Sequence, residues 1–100
     1  MDKRTALDSV REFKKAILHL FPEAKTYLFG SYAKDLQNEN SDIDVAVIMP
    51  RLSANYLWEE SPILWRISGN INSLIEPVLL EMNEDTPLYN EVMATGILIE

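Results

Sequence analysis

The sequence predicts an α/β (α+β) fold: one small domain over residues 1–100, with a mixed β-sheet of about four strands flanked by helices. Three observations carry this reading. Segments with a helical apolar period alternate with short, β-branched runs along the chain. Hydrophobic residues make up 47% and charged residues 25%, a balance that supplies a core and is not that of a disordered chain. At 100 residues, there is material for one domain and not for two.

Each element has its own signal. Val10, Phe13, Ile17 and Leu20 form one apolar stripe, which predicts an amphipathic helix over 5–21, stopped by Pro22. Lys3, Arg11, Lys14 and Lys15 fall mostly off that stripe and form a solvated face. Thr26 to Phe29 reads as a short strand ended by Gly30, and residues 31–36 as one or two helical turns. Gln37 to Ser41 is a polar loop. Ile43 to Met49 is the strongest strand signal, closed by Pro50. Ser61-Pro62 has the form of an N-cap followed by a first-turn proline, and Ile63, Ile67, Ile71 and Leu74 extend a helix to about Ser73. Ile75 to Glu81 is a third strand. Thr86-Pro87 repeats the cap signature, a helix over Leu88 to Thr95 closes at Gly96, and Ile97-Leu98-Ile99 is a final strand.

Composition narrows the function classes. Nine basic against sixteen acidic residues give a net charge of −7, a field that repels phosphate backbones and argues against a nucleic-acid partner. The absence of Cys excludes disulfides and thiolate metal sites and fits a cytoplasmic location. No apolar run approaches the roughly 20 residues of a membrane span. Met1-Asp2-Lys3-Arg4 leads into an amphipathic segment, unlike a signal peptide.

One constellation carries chemistry: Gly30-Ser31, ten residues, then Asp42-Ile43-Asp44. Side chains alternate along a strand, so Asp42 and Asp44 share a face, their Cβ atoms roughly 7 Å apart, while Ile43 points to the core. Two carboxylates on one face repel each other unless a cation lies between them. Hard oxygen donors suit Mg²⁺, with the remaining positions left to water and phosphates. Gly30 permits close approach of a ligand to the backbone, and the amides after it, with the Ser31 hydroxyl, form an anion site at a helix start. Lys34 lies one turn on. If the first two strands are antiparallel neighbours, phosphate donors face metal ligands, as a nucleoside triphosphate requires. A centre of two Mg²⁺ ions needs a third carboxylate. Glu76, polar among apolar neighbours at the start of the third strand, is the better candidate, and Glu81 at its far end is the alternative. Four residues at this spacing arise by chance about once in a thousand chains of this length. His19, Tyr56, Trp58 and Trp65 are read as surface or packing residues; the aromatics, if exposed together, would mark a protein interface.

Gly30-Ser31 and Ser41-Asp42-Ile43-Asp44-Val45-Ala46-Val47 resemble the signature of the polymerase-β-like nucleotidyltransferases. The length, the first helix and the closing Gly96-Ile97-Leu98-Ile99-Glu100 are similar to the minimal nucleotidyltransferases. The resemblance implies that residues 1–100 are the catalytic domain. It further implies that Gly30, Ser31 and Lys34 bind the nucleotide, that Asp42, Asp44 and Glu76 are catalytic and hold Mg²⁺, and that ATP is the AMP donor. Many such proteins are similar to antitoxins paired with a helical HEPN-domain partner, and some transfer AMP to that partner. Lys34 stands where the family often has Arg, Asp35 where it often has Gly, and Glu76 where minimal members commonly have Asp. The expectation is therefore a Mg²⁺-dependent nucleotidyltransferase acting on a hydroxyl of a partner protein, in a homo- or hetero-oligomer. The competing expectation is a binding module that neutralises its partner by steric contact.

Overall fold

A computed structural model describes all of residues 1–100. In chain order the elements are α1 (Lys3–Ile17), β1 (Lys25–Phe29), β2 (Ile43–Met49), α2 (Glu60–Ile71), β3 (Ile75–Glu81), α3 (Pro87–Thr95) and β4 (Ile97–Ile99). The strands form one sheet in the order β3-β2-β1-β4. β1 is antiparallel to β2 and to β4, and β2 is parallel to β3, with α2 as the crossover. The expected mixed four-stranded sheet with flanking helices is what the chain forms. Pro77 lies in β3, an edge strand, where a missing backbone donor is tolerated.

Period-2 alternation divides the sheet into two faces. Ile43, Val45, Val47, Ile75, Leu79 and Leu28 point to one side and are sealed by Ala6, Val10, Phe13 and Ile17 of α1 and by Leu64 of α2. Phe29, Ala46, Ile48 and Leu80 point to the other side, under Tyr89 and Val92 of α3. Asp2 starts α1 by accepting from the Thr5 amide at 2.8 Å, which holds its carboxyl below the usual range. Thr86 does the same for Tyr89 in α3, as its pairing with Pro87 predicts.

Three local expectations are corrected. α1 ends at Ile17, not near residue 21. Pro22 disfavours helical backbone at the residue before it, so the chain leaves the helix early, exposes Leu20 and seats Phe21 in the core. Residues 31–36 form a hydrogen-bonded turn, not a helix: the Lys34 amide reaches the Gly30 and Ser31 carbonyls, and Leu36 returns to Ser31 at 2.9 Å. Asp35 at φ 59 turns the chain left-handed and stops any helix there. Finally, α2 begins at Glu60, with Glu59 at the cap and no side-chain cap bond. Ser61 therefore lies inside the first turn, where Pro62 still loses no helical bond.

Candidate active site

The register brings the motif together at one end of the sheet. Phe29 of β1 pairs with Asp44 of β2, and Asp44 pairs with Glu76 of β3. Asp44 and Glu76 are thus neighbours on the face covered by α3, while Ile43 is fully buried on the other. Asp42 sits one residue ahead of β2 and is exposed. Gly30 follows Phe29 directly, at φ 73. A Cβ there would overlap the Asp44 carboxylate, so this position needs glycine twice: for its backbone conformation and for the carboxylate lying against it.

The electrostatics show the crowding. Burial raises the Asp44 pKa, and the charges of Asp42 and Glu91 raise it further. Glu76 is raised chiefly by a hydrogen bond shared with Asp42, then by burial and by the charges of Asp42 and Asp44. No three acidic or histidine side chains stand at metal-ligand spacing. The donor set, three hard carboxylates with unfavourable mutual charge, is chemically suited to Mg²⁺.

The turn after Gly30 supplies donors. The amides of Ser31, Tyr32 and Ala33 donate to no acceptor in the protein. The turn is pinned by the buried Tyr32 ring, whose hydroxyl donates to the Met1 carbonyl at 3.2 Å, and by a Lys3–Asp35 ion pair at 2.9 Å. Lys34 belongs to the same turn and pairs with Glu91 of α3 at 3.5 Å. Glu81 is elsewhere: at the far end of β3 its carboxylate accepts from the Leu52 amide at 2.9 Å and anchors the segment after β2. Sequence reasoning missed Glu91. Nothing in the run Tyr89-Asn90-Glu91-Val92 sets it apart from a solvated helix residue; only the packing of α3 brings it to the site.

Residues 10–85 match the model of the nucleotidyltransferase domain family. The chain belongs to that family. A relative from Methanocaldococcus jannaschii, provisionally named protein adenylyltransferase MJ0141, is 29% identical over 96 residues, spanning 91% of this chain and 95% of the relative. Three solved structures share the fold. One, from Sulfolobus solfataricus and provisionally assigned as a nucleotidyltransferase, superposes with a TM-score of 0.74 at 18% identity, covering 96% of this chain and 80% of that one. Another is a toxin–antitoxin structure with AMP-PNP, with a TM-score of 0.67 at 27% identity over 90% of this chain and 72% of that one. A mutant of the MntA–HpeT toxin–antitoxin pair gives a TM-score of 0.60 at 20% identity, covering all of this chain and 73% of that one. The protein is a nucleotidyltransferase, similar in fold to chains of toxin–antitoxin structures. None of its helices is long and apolar enough to cross a membrane.

Proposed function

We propose that this nucleotidyltransferase moves AMP from ATP, with Mg²⁺, to a hydroxyl on a helical, HEPN-like partner protein of a toxin–antitoxin module. The observation that carries the reading is the register: Asp44 of β2 pairs with Glu76 of β3, Gly30 at the end of β1 lies against the Asp44 carboxylate, and Asp42 sits one residue ahead of β2. Asp42, Asp44 and Glu76 would hold the metal, and Mg²⁺, when bound, supplies charge neutralisation at the phosphates and at the attacking oxygen. The chain's own part is positioning. The free amides of Ser31 to Ala33 bind phosphate oxygens, and Gly30 lets them approach. The acceptor oxygen forms a bond to the α-phosphorus as the bond from that phosphorus to pyrophosphate breaks.

A protein partner is supported by the likeness to toxin–antitoxin structures and by exposed apolar side chains at and beside two of the aromatics: Leu57 is 62% exposed, Trp58 83% and Trp65 46%. A second reading, a steric antitoxin with little turnover, is favoured by the same exposed apolar side chains, which suit a binding surface whether or not transfer occurs. The experiment incubates the protein with the neighbouring gene product, Mg²⁺ and ATP labelled at the α-phosphate. Label on the partner, lost in Asp42→Asn and Asp44→Asn, is the expected result. A tight complex that stays unlabelled and survives both substitutions establishes the steric reading instead.

A further inference from the structure

We propose that Glu91 is a positioning residue for Lys34: it parks the ammonium on α3 beside the acids, and an incoming polyphosphate must take Lys34 from it. The proposal rests on the reading of the Gly30–Ser31 turn as a phosphate seat. Glu91 therefore sets how tightly the nucleotide binds, without touching it.

Four observations support this. Lys34 is one turn from Ser31 in a backbone that cannot move far, tied by its own amide to the Gly30 and Ser31 carbonyls, by Tyr32 and by Lys3–Asp35. The freedom that remains belongs to the Lys34 side chain. Its partner is also fixed, because α3 is capped by Thr86 and packed through Tyr89 and Val92. The pair itself is loose: Nζ to Oε2 is 3.5 Å, and the side chains are 37% and 41% exposed. Ion pairs of this kind hold weakly, and a polyphosphate offers a lysine more charge and more acceptors than one carboxylate does. The location is specific, since Glu91 is near enough to Asp44 for its charge to act there. Neither remaining ion pair engages Lys34 or Glu91: Lys3–Asp35 ties the same turn to α1, and Arg11–Asp8 lies within α1.

The competition has a sign that a merely structural contact would not have. Removing the Glu91 charge frees Lys34 and tightens binding, whereas a fold-supporting residue would weaken it when removed. The test is calorimetric titration of ATP with Mg²⁺ into the intact protein and into Glu91→Gln, Lys34→Gln and the double variant. Glu91→Gln is near-isosteric and partly exposed, and melting curves check that each variant is folded. Expected are about threefold tighter binding for Glu91→Gln, several-fold weaker binding for Lys34→Gln, and a double variant equal to Lys34→Gln alone. Equal tightening with and without Lys34 means that Glu91 acts only through its field, and overturns the proposal. Unchanged or weaker binding in Glu91→Gln overturns it as well, while leaving the nucleotide site intact. ATP binding indifferent to both Lys34→Gln and Asp42→Asn overturns the site reading itself, and the proposal with it.

Discussion

The two faces of the sheet are built differently from the same strands. The face under α1 and α2 buries fourteen apolar residues in one cluster. The face under α3 buries six and carries Asp44 and Glu76 at one end. Burying a charge without a partner is costly, so acids that must stay ionisable belong on the thinly covered side. The division is enforced by alternation: Ile43 and Asp44 differ by one position and lie on opposite faces. A one-residue slip of β2 would put a carboxylate into the core, which makes the dense face the guarantor of the register that assembles the site.

The largest expected effect breaks this comparison at its dense side. Phe13→Ala removes a fully buried ring between α1 and the sheet and should cost about 3–5 kcal/mol in urea denaturation. Val92→Ala on the opposite face, equally buried, should cost about 2 kcal/mol, two methylene equivalents plus a small cavity. Equal losses would mean that the α3 side carries as much of the stability as the α1–α2 side. Gly30→Ala comes next. The left-handed backbone alone costs about 1–2 kcal/mol with a Cβ present, and the overlap with the Asp44 carboxylate must be relieved by moving it. Loss of stability and loss of ATP binding should appear together; a variant that melts lower yet binds ATP normally would show that Asp44 does not need its present position.

Much of this was legible in the sequence, and the failures have physical causes. β2, β3 and β4 have the bounds their β-branched runs predict, and Thr86-Pro87 caps α3, because these signals are local. The shared face of Asp44 and Glu76 needed one further step, the parallel pairing of β2 with β3. The turn over 31–36 was misread because a backbone angle at Asp35, invisible in composition, decides against a helix. Ser61 was misread as a cap because the segment before it already winds towards α2, with Trp58 and Glu59 both donating to the Asn55 carbonyl. Glu91 could not be found from sequence, since its role depends on where α3 docks.

A smaller effect sharpens the comparison at the acidic end. Asp42→Asn removes a charge that raises both Asp44 and Glu76 while keeping the side-chain shape. The ligand-free variant should gain up to about 1 kcal/mol and lose most of the melting shift that Mg²⁺ with ATP gives the native protein. The gain depends on pH. A carboxyl whose folded pKa is raised stabilises the fold fully below its unfolded pKa and loses that contribution as pH rises through the folded value. For Asp44 and Glu76 that loss starts in the ordinary carboxylate range near pH 4 and continues upward. The advantage of Asp42→Asn should therefore grow between pH 4 and neutrality. A mutant that melts lower at every pH, with both proteins shifted equally by ligand, would make Asp42 a structural residue.

The smallest expected effect tests whether the two faces are separable at all. Thr26 lies on β1 between Val47 and Ile99, is 1% exposed, and its hydroxyl finds no partner. An unpaired buried hydroxyl keeps its desolvation cost and returns nothing, so a side chain of the same shape without it should be more stable. Thr26→Val is therefore expected to raise stability by a few tenths of a kcal/mol, up to about 1 kcal/mol, in urea denaturation. Thr26 points away from the acids, and Phe29, three residues later, is the β1 residue that pairs with Asp44. ATP affinity should then be unchanged. A stability loss would show that the hydroxyl does find an acceptor, whereas a stable variant with altered ATP affinity would show that packing on the dense face reaches through the strands to the site.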